Sequence, residues 1–426
     1  MKLIEYEKIG EKVYHHVLDN KLNIYVLPKR GFNKYFAFFA TNYGGCDRRF
    51  ALGGKWVDTP AGVAHLLEHK MFDTEEGNAL MQLSLNGASP NAYTSTGITA
   101  YHFECADNFY DNLRILLSFV SIPYFTPESV EKEQGIIAQE ILMGEDNPTR
   151  AVYQNLLRAL YAHNPVRDPI AGTVESIAEI TADTLYDCHK VFYNPSNMVL
   201  CVAGDLDAQK VIDTAREIIV QEAGELPQRD YGEPETLYPN KKKYEVNMEV
   251  AAPLFRMGSK FEQPDNGEEY FRFLLLGNLA CAVLAGTSSP LYARMYAKGL
   301  INNRFGAGFS YVPGGMYACA VGESREPLQV MDEITAEADR ISREGVDVQL
   351  FERLKKASIG NYLRDFDDME NITAYLADGH FKGYDPMKGL DYYDKISIDE
   401  IQRFISDAFN PERLAISIVW PNEADN

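Results

Sequence analysis

The sequence of 426 residues lacks the features that mark several classes of protein. No stretch approaches the roughly 18 uninterrupted apolar residues of a membrane span, so we expect no transmembrane segment. The N-terminal residues MKLIEYEK contain no apolar core of a signal peptide, and we therefore expect a cytoplasmic protein without a membrane partner. The six cysteines are scattered without a C-x-x-C pair, which indicates reduced core residues rather than a disulfide framework or a thiolate zinc site.

Basic residues are also scarce. The chain has 41 Lys and Arg against 62 Asp and Glu, which gives a formal net charge of −21. A nucleic acid or an anionic membrane surface requires clustered positive charge, so neither is expected as a partner. The charge favours basic ligands only weakly, because net charge does not assign a function. With 46% hydrophobic residues, the chain is long enough for two or three domains with sizeable cores.

The chemistry is concentrated in the pentapeptide HLLEH at positions 65–69. Thr59 and Pro60 precede it, and these are a favourable N-cap and a favourable first helical residue, so we predict that a helix begins there. Two histidines four positions apart lie about 40° apart on one helix face, so both can bind one metal ion. Glu68 lies about 60° from His65, where it can handle a water molecule on the metal. The pattern is the inverted zinc-peptidase signature, and the alternative is a helix with two incidental surface histidines.

A zinc ion held by two histidines requires a third nitrogen or oxygen ligand and an open fourth position. A second predicted helix, from Thr126 towards Pro148, contains Glu133 and Glu140. These residues are seven positions apart and therefore face the same way to within about 20°. Apolar neighbours place at least one of them near a buried stripe, whereas the alternative is a solvated acidic face. The spacing does not choose between the two glutamates.

An internal repeat indicates a duplicated domain. Residues 180–204 and 396–420 align at a constant offset of 216, with Asn194-Pro195 on Asn410-Pro411. Each copy predicts a helix, an Asn-Pro turn and a buried strand. The second half contains no H-x-x-E-H motif, so one zinc site per chain is expected.

The segment 224–243 is polar, contains three prolines and lacks periodicity, which is typical of a linker. We therefore predict three regions along the chain. They are a zinc-bearing catalytic domain (1–223), the linker (224–243) and a homologous non-catalytic domain (244–426).

Five stretches together resemble the pitrilysin-type zinc metallopeptidases, and more narrowly the short bacterial members related to the mitochondrial processing peptidase. They are HLLEHKMF (65–72), GASPNAYTSTGITAYHFEC (87–105), YFTPESVEKEQGIIAQEI (124–141), HNPVRDPIAGTVESI (163–177) and FYNPSNMVLCVAGDLD (192–207). The resemblance covers nearly the whole chain. It implies an α+β fold of two homologous domains, each a mostly antiparallel sheet with helices packed on one face.

Carried over position by position, the resemblance implies a role for each residue of the site. His65 and His69 would be zinc ligands, Glu140 the third ligand and Glu68 the general base. Glu133 would be the second acidic residue, which supports the site without binding zinc.

The resemblance also implies a peptide-binding edge strand at Asn91, Ala92 and Tyr93. An extended peptide would be held there by backbone pairing, while pockets select its side chains. The alternative is an ordinary turn and strand with Tyr93 in the core. The expected function is a zinc endopeptidase that cleaves peptides or short unfolded segments with a metal-activated water.

One stretch departs from the family pattern. Members that bind substrate with the second half carry an Arg followed several residues later by a Tyr, but here Tyr296 and Ile301 or Asn302 stand at those places. Neither Arg294 nor Arg304 has the family spacing. Our hypothesis is that this chain is the zinc-bearing subunit of a heterodimer whose zinc-less homologous subunit supplies these groups, with a homodimer as the alternative. Two other functions stay open: a zinc-binding assembly subunit without turnover, and a zinc hydrolase of a small molecule.

Overall fold

The computed structural model of the protein describes residues 1–422. They form two compact units, each built from separate pieces of the chain. Unit 1 contains residues 1–141, 169–231 and 363–387, and unit 2 contains 142–168, 232–362 and the residues from 388 onward. The division of the chain at residues 224–243 stays a prediction about homologous domains. The compact units differ from it because each includes a segment from the other side of that boundary.

The strands, in chain order, are β1 (Lys2–Tyr6), β2 (Glu11–Val17), β3 (Asn23–Pro28), β4 (Tyr35–Thr41), β5 (Arg49–Leu52), β6 (Lys55–Asp58), β7 (Asp73–Thr74), β8 (Gly77–Asn78), β9 (Ala88–Thr94), β10 (Thr99–Cys105), β11 (Met198–Gly204), β12 (Lys243–Met248), β13 (Leu254–Phe261), β14 (Gly306–Val312), β15 (Gly315–Glu323) and β16 (Ala415–Pro421).

The α-helices are α1 (Val63–Met71), α2 (Ala79–Leu85), α3 (Phe109–Ser121), α4 (Pro127–Glu145), α5 (Pro148–Leu160), α6 (Val174–Ala178), α7 (Ala182–Phe192), α8 (Ala208–Ile218), α9 (Gly267–Ala285), α10 (Pro290–Ala297), α11 (Pro327–Glu344), α12 (Val348–Asp365), α13 (Met369–Lys382), α14 (Gly389–Lys395) and α15 (Ile398–Ala408). None of the described helices alone has the length and apolar composition needed to cross a bilayer. Helices α9 and α10 have that length and composition only when they are taken together, as a pair bent by 43°.

Each unit is built on one large sheet. The sheet of unit 1 has the order β1-β2-β3-β11-β4-β10-β9, and that of unit 2 has the order β12-β16-β13-β15-β14. Pairing is antiparallel except for β3 with β11 and β12 with β16, which are parallel. The predicted α+β fold with mostly antiparallel sheets is confirmed, and β9 and β14 lie at sheet edges.

The sheet of unit 1 has helices on both faces. Alternate residues of β4 and β10, such as Phe39 and Tyr101, belong to the core that contains α1, α3 and α7. Helix α13 packs on β4 and β11, and none of its residues belongs to that core, so it covers the opposite face. The resemblance implied helices on one face only. The second helix layer comes from residue 369 onward, far along the chain from the strands that it covers.

The metal-motif helix begins later than its sequence predicts. Thr59 is not its N-cap, because its hydroxyl and amide both bond to the Arg48 carbonyl, at 3.0 and 2.8 Å. Helix α1 starts at Val63 after Gly62, whose φ of 100° lies in the left-handed region that favours glycine. A Cβ at Gly62 would also lie 2.7 Å from the Ala171 carbonyl oxygen. The start of α1 is therefore set by the left-handed conformation of Gly62 and by its close contact with Ala171.

The edge strand β9 also begins earlier than predicted. Residues 84–90 have the composition of a polar loop, but α2 continues to Leu85 and β9 starts at Ala88. Pro90 therefore lies inside a strand. This is tolerated because proline lacks only an N–H, and an edge strand has amides that pair with no neighbour.

Candidate metal centre and edge strand

Two helices of unit 1 bring three potential ligands together. His65 and His69 lie one turn apart on α1, and their ring centroids are 4.6 Å apart. Glu140 on α4 approaches both rings, with its Oε1 3.7 Å from Nε2 of His65 and its Oε2 3.9 Å from Nε2 of His69. One donor atom from each residue lies within 4.8 Å of the others. Two imidazole nitrogens and one carboxylate oxygen are the donor set of a catalytic zinc site.

Glu133 has a different position from Glu140. Its Oε1 lies 3.0 Å from Nδ1 of His69, the ring nitrogen that faces away from Glu140. A carboxylate on the second nitrogen orients a metal-binding imidazole and makes it more basic. The hydrogen bond that His69 donates to Glu133 raises the pKa of His69, although burial opposes this effect. Helix spacing alone did not distinguish Glu133 from Glu140. In the structure they approach different ring nitrogens of His69, Glu133 at Nδ1 and Glu140 at Nε2.

Glu68 lies between the two histidines of the motif and the edge strand. Its carboxylate is buried, and Oε2 accepts a 2.6 Å hydrogen bond from the hydroxyl of Thr94. Burial raises the pKa of Glu68, while the Thr94 hydrogen bond and the nearby His69 lower it. A carboxylate held beside a metal site in a partly desolvated position is suited to accept a proton from a metal-bound water.

Strand β9 presents a free backbone edge next to this carboxylate. The register pairs Thr94 with Thr99 and Ala92 with Tyr101 of β10. The Ala92 N–H donates to the side-chain oxygen of Asn91 at 2.9 Å. Tyr93 is 39% exposed, so it is not a core residue, which was the alternative interpretation.

Sequence reasoning missed two features near the site: the contact of Thr94 with Glu68 and the burial of Lys70. Thr94 lies in the quoted motif, and strand alternation puts it on the same face as Ala92, which is a usable signal. Lys70 follows His69 directly and is fully buried, with its ammonium group bound to Asp73. A lysine is rarely buried unless it is paired, and nothing in the local pattern indicates this burial.

The stretch that departs from the family pattern lies in unit 2. Tyr296 is exposed and Ile301 is buried. Both nearby arginines have acidic partners within unit 2: Arg294 donates to Glu337 at 2.5 Å, and Arg304 pairs with Glu323.

The fold and the site together define a class: a two-unit α+β protein with an inverted zinc-binding motif on a helix behind an edge strand. A family model described as "Insulinase (Peptidase family M16)" matches residues 53–174, and one described as "Peptidase M16 inactive domain" matches residues 179–358. The chain is 37% identical to the "uncharacterized zinc protease YmfH" of Bacillus subtilis, over 99% of both proteins. The chain therefore belongs to peptidase family M16, the pitrilysin-type zinc metallopeptidases.

Solved structures agree with this assignment. An M16-like peptidase from Alicyclobacillus acidocaldarius is 29% identical with a TM-score of 0.92, and the match covers 97% of this chain and 99% of that one. A protease from Helicobacter pylori is 16% identical with a TM-score of 0.80, over 96% of this chain and 100% of that one. At that identity the second likeness concerns the fold alone.

Proposed function

We propose that the protein is a zinc-dependent endopeptidase that cleaves peptides or short unfolded segments. The observation that supports this most directly is the approach of His65, His69 and Glu140 to one another beside the buried carboxylate of Glu68. A purely structural metal site would have no use for Glu68, which is not among the three clustered ligands.

In this proposal His65, His69 and Glu140 hold the zinc ion. When bound there, zinc lowers the pKa of a coordinated water towards about 7 and polarises the scissile carbonyl. Glu68 accepts the proton of the attacking water and transfers it to the departing amine. Thr94 holds Oε2 of Glu68, which limits the rotation of the carboxylate and leaves its other oxygen available.

The peptide lies along β9 as an added strand. The peptide backbone forms hydrogen bonds with the outward amides and carbonyls of Ala92 and Thr94. The hydrogen bond between the Ala92 amide and the Asn91 side chain must therefore break on binding. Backbone pairing requires an extended segment, which a folded substrate does not offer. This accounts for the proposed restriction to peptides and unfolded segments.

The test combines metal analysis with turnover. The purified chain, its Glu68→Gln variant and the control Glu131→Gln, an exposed residue of α4, are compared for bound zinc and for cleavage of a quenched peptide library. We expect one zinc per chain in all three and cleavage in all but Glu68→Gln. Cleavage that persists in Glu68→Gln, or a chain that binds no zinc, contradicts the proposal.

We further propose that the chain works as the zinc-bearing subunit of a heterodimer with a homologous, zinc-less subunit. The proposal is supported by Tyr296 and Ile301 at the places of the expected Arg and Tyr, and by the acidic partners of Arg294 and Arg304. Missing groups would leave the tetrahedral intermediate without part of its electrostatic stabilisation.

The test is the dependence of activity on a partner. We expect weak cleavage by the purified chain and a gain when the homologous subunit is added. Full activity of the chain alone contradicts the heterodimer and favours a homodimer or a self-sufficient enzyme. Zinc binding without hydrolysis in the presence of the partner instead favours an assembly subunit.

A further inference from the structure

A cavity of about 660 Å³ opens on the face of the unit 1 sheet opposite the metal centre. Its lining includes Ser89 and Asn91 of β9, together with His102 and Glu104 of β10. These residues form directly opposed cross-strand pairs, Asn91 with His102 and Ser89 with Glu104. Alternate residues of a strand point to opposite faces, so this cavity lies behind the same edge strand whose other face carries Thr94.

The floor of the cavity contains an imidazole without a hydrogen-bond partner. His102 is only 5% exposed, and its ring packs against Phe36 and Phe38, at centroid distances of 5.3 and 5.9 Å. Its contacts with the described residues are ring contacts alone, with no hydrogen bond to either nitrogen. Burial lowers the pKa of His102 to about 4, so the ring is neutral and one nitrogen is an acceptor. The acceptor nitrogen is not sealed from solvent, so a donor group that enters the cavity can reach it.

The wall of the cavity is acidic. Asp367, Asp368 and Glu370 line it at the start of α13, and all three are exposed. Asp368 caps the helix by accepting the Asn371 amide at 3.0 Å, whereas Asp367 and Glu370 have no cation paired with them among residues 1–422. The lysine in the lining, Lys34, is already bound to Glu104 at 2.6 Å.

The negative charge extends along the same face. Burial, with the charges of Asp378 and Glu370, raises the pKa of Tyr93 to about 12. Tyr93 points to this face because its ring lies 6.3 Å from that of His102. The cavity therefore combines an aromatic floor, an unpaired acceptor and excess carboxylates. An apolar stem that ends in a cation has the complementary chemistry.

We propose that this cavity is a substrate subsite that binds a lysine or arginine side chain of the peptide, three to five residues from the scissile bond. The inference rests on the proposed function, because it assumes that a peptide pairs with β9. The peptide residues opposite Asn91 and Ser89 project to the cavity side. Thr94, which is bound to Glu68, marks the reacting end of the strand, and Asn91 and Ser89 lie three and five positions from it.

The experiment moves one lysine through every position of a quenched ten-residue peptide, with glutamine at the same position as the matched control. Cleavage sites are read by mass spectrometry. We expect kcat/KM to be roughly tenfold higher for lysine than for glutamine when the lysine lies three to five residues from the cleaved bond on one side. A flat profile, or a preference confined to the residues next to the cleaved bond, overturns the proposal.

Charge variants assign the preference to the cavity. In Asp367→Asn/Glu370→Gln the lysine preference should fall to about one, because the two carboxylates that attract the cation have been replaced by neutral amides. Glu179→Gln/Glu225→Gln removes the same charge from exposed positions of unit 1 outside the cavity and should retain the preference. Glu370→Lys should favour a peptide with glutamate at the same position. A preference that is unchanged in both cavity variants, or lost in the Glu179→Gln/Glu225→Gln control, overturns the subsite.

A binding measurement separates this inference from the proposed peptidase. Fluorescence anisotropy of labelled lysine and glutamine peptides is measured on zinc-loaded Glu68→Gln, with and without Asp367→Asn/Glu370→Gln. Tighter binding of the lysine peptide that depends on the two carboxylates supports the subsite even when the parent chain cleaves nothing. Equal binding of both peptides, together with normal cleavage by the parent chain, overturns the subsite and leaves the peptidase intact.

Discussion

The two sheets differ mainly where a helix meets the edge strand. Their central order is the same, β3-β11-β4-β10-β9 in unit 1 and β12-β16-β13-β15-β14 in unit 2. A buried hydrogen bond is also repeated: the Thr41 hydroxyl donates to the Phe192 carbonyl at 2.6 Å, and Ser259 donates to the Ala408 carbonyl at 2.5 Å. The offset of 216 found in the sequence maps Phe192 onto Ala408.

The helices next to the two edge strands, β9 and β14, differ in polarity. Helix α1 presents histidines and a glutamate near β9, whereas α9 is rich in buried leucine and alanine near β14. In unit 2, Gly277 lies so close that an added Cβ would overlap the ring of Phe309. Asn278 bonds to both the amide and the carbonyl of Phe309, at 3.1 and 3.0 Å. One copy of the architecture thus leaves a polar space behind its edge strand, and the other fills that space by packing.

The largest expected effect tests this contrast at the ligands. His65→Ala removes a proposed zinc ligand in unit 1, so we expect loss of bound zinc and a fall in kcat/KM of roughly a thousandfold or more. Asn278→Ala alters the matching place in unit 2 and should leave the zinc content unchanged. Zinc content by atomic absorption and peptide turnover measure both. Zinc retained in His65→Ala would mean that the metal binds elsewhere.

The next effect concerns the stability of unit 2. Glu235 accepts hydrogen bonds from three consecutive amides, those of residues 162–164, and pairs with the nearly buried Lys260 at 2.8 Å. Burial opposes ionisation, but Lys260 and the three amides together lower the pKa of Glu235 to about 2. Glu235→Gln should reduce the free energy of unfolding by about 2–3 kcal/mol at neutral pH.

The pH dependence of this effect has a definite sign. Because the folded-state pKa is depressed, the stabilisation by Glu235 is complete above about pH 4.5 and is lost as the pH falls towards 2. Urea unfolding of the parent and Glu235→Gln at pH 7 and pH 3 measures the change, and the difference between them should shrink at pH 3. A difference that grows on acidification contradicts the assigned ionisation.

A smaller effect is expected at Glu133, which contacts the proposed ligand His69. Glu133→Gln weakens the hydrogen bond to Nδ1 of His69 and should reduce zinc affinity roughly tenfold to a hundredfold without abolishing binding. Competition with a chelator measures the affinity, and Glu131→Gln on the same helix serves as the control. If Glu133→Gln lost zinc as completely as His65→Ala, Glu133 would itself be a ligand.

The smallest effect tests the repeated hydrogen bond. Ser259→Ala removes the described side-chain donor to the Ala408 carbonyl and should cost about 1–2 kcal/mol of stability. Thr41→Val should cost less, about 0.5–1 kcal/mol, because the Asn197 amide also donates to the Phe192 carbonyl at 2.8 Å. The stabilities of the two variants are compared by their denaturant midpoints, provided that their m-values are equal. A larger loss of stability in Thr41→Val than in Ser259→Ala would contradict this prediction.

The sequence predicted much of this arrangement because the relevant signals are local. The pair of histidines and the candidates Glu133 and Glu140 depend on spacing within single helices. Each segment of the helix–turn–strand repeat is also short, with 25 residues, although its match lies 216 positions along the chain. The different positions of the two glutamates depend on how α1 and α4 pack together. The spacing of residues along one helix does not predict that packing. The start of α1 depends on the contact between Gly62 and Ala171, which is likewise tertiary.

The assignment of helices to sheets could not be read from the pattern. An amphipathic helix shows which of its faces is buried, but not which sheet it covers. Helix α13 lies in unit 1 although its sequence lies far beyond the linker, and α5 packs on β13 and β16 of unit 2 although it precedes the linker. The cavity behind β9 was missed for the same reason, since its acidic wall comes from α13.

The position of α13 in the chain has a consequence for synthesis on the ribosome. The strands of the unit 1 sheet are complete once Gly204 has been made, but the helix that covers one face of β4 and β11 follows more than 150 residues later. At translation rates of about 5–20 residues per second, that apolar face stays bare for roughly ten seconds or longer. Unit 1 therefore cannot finish folding when its strands have been made, because its completion waits until residues 369–382 have left the ribosome.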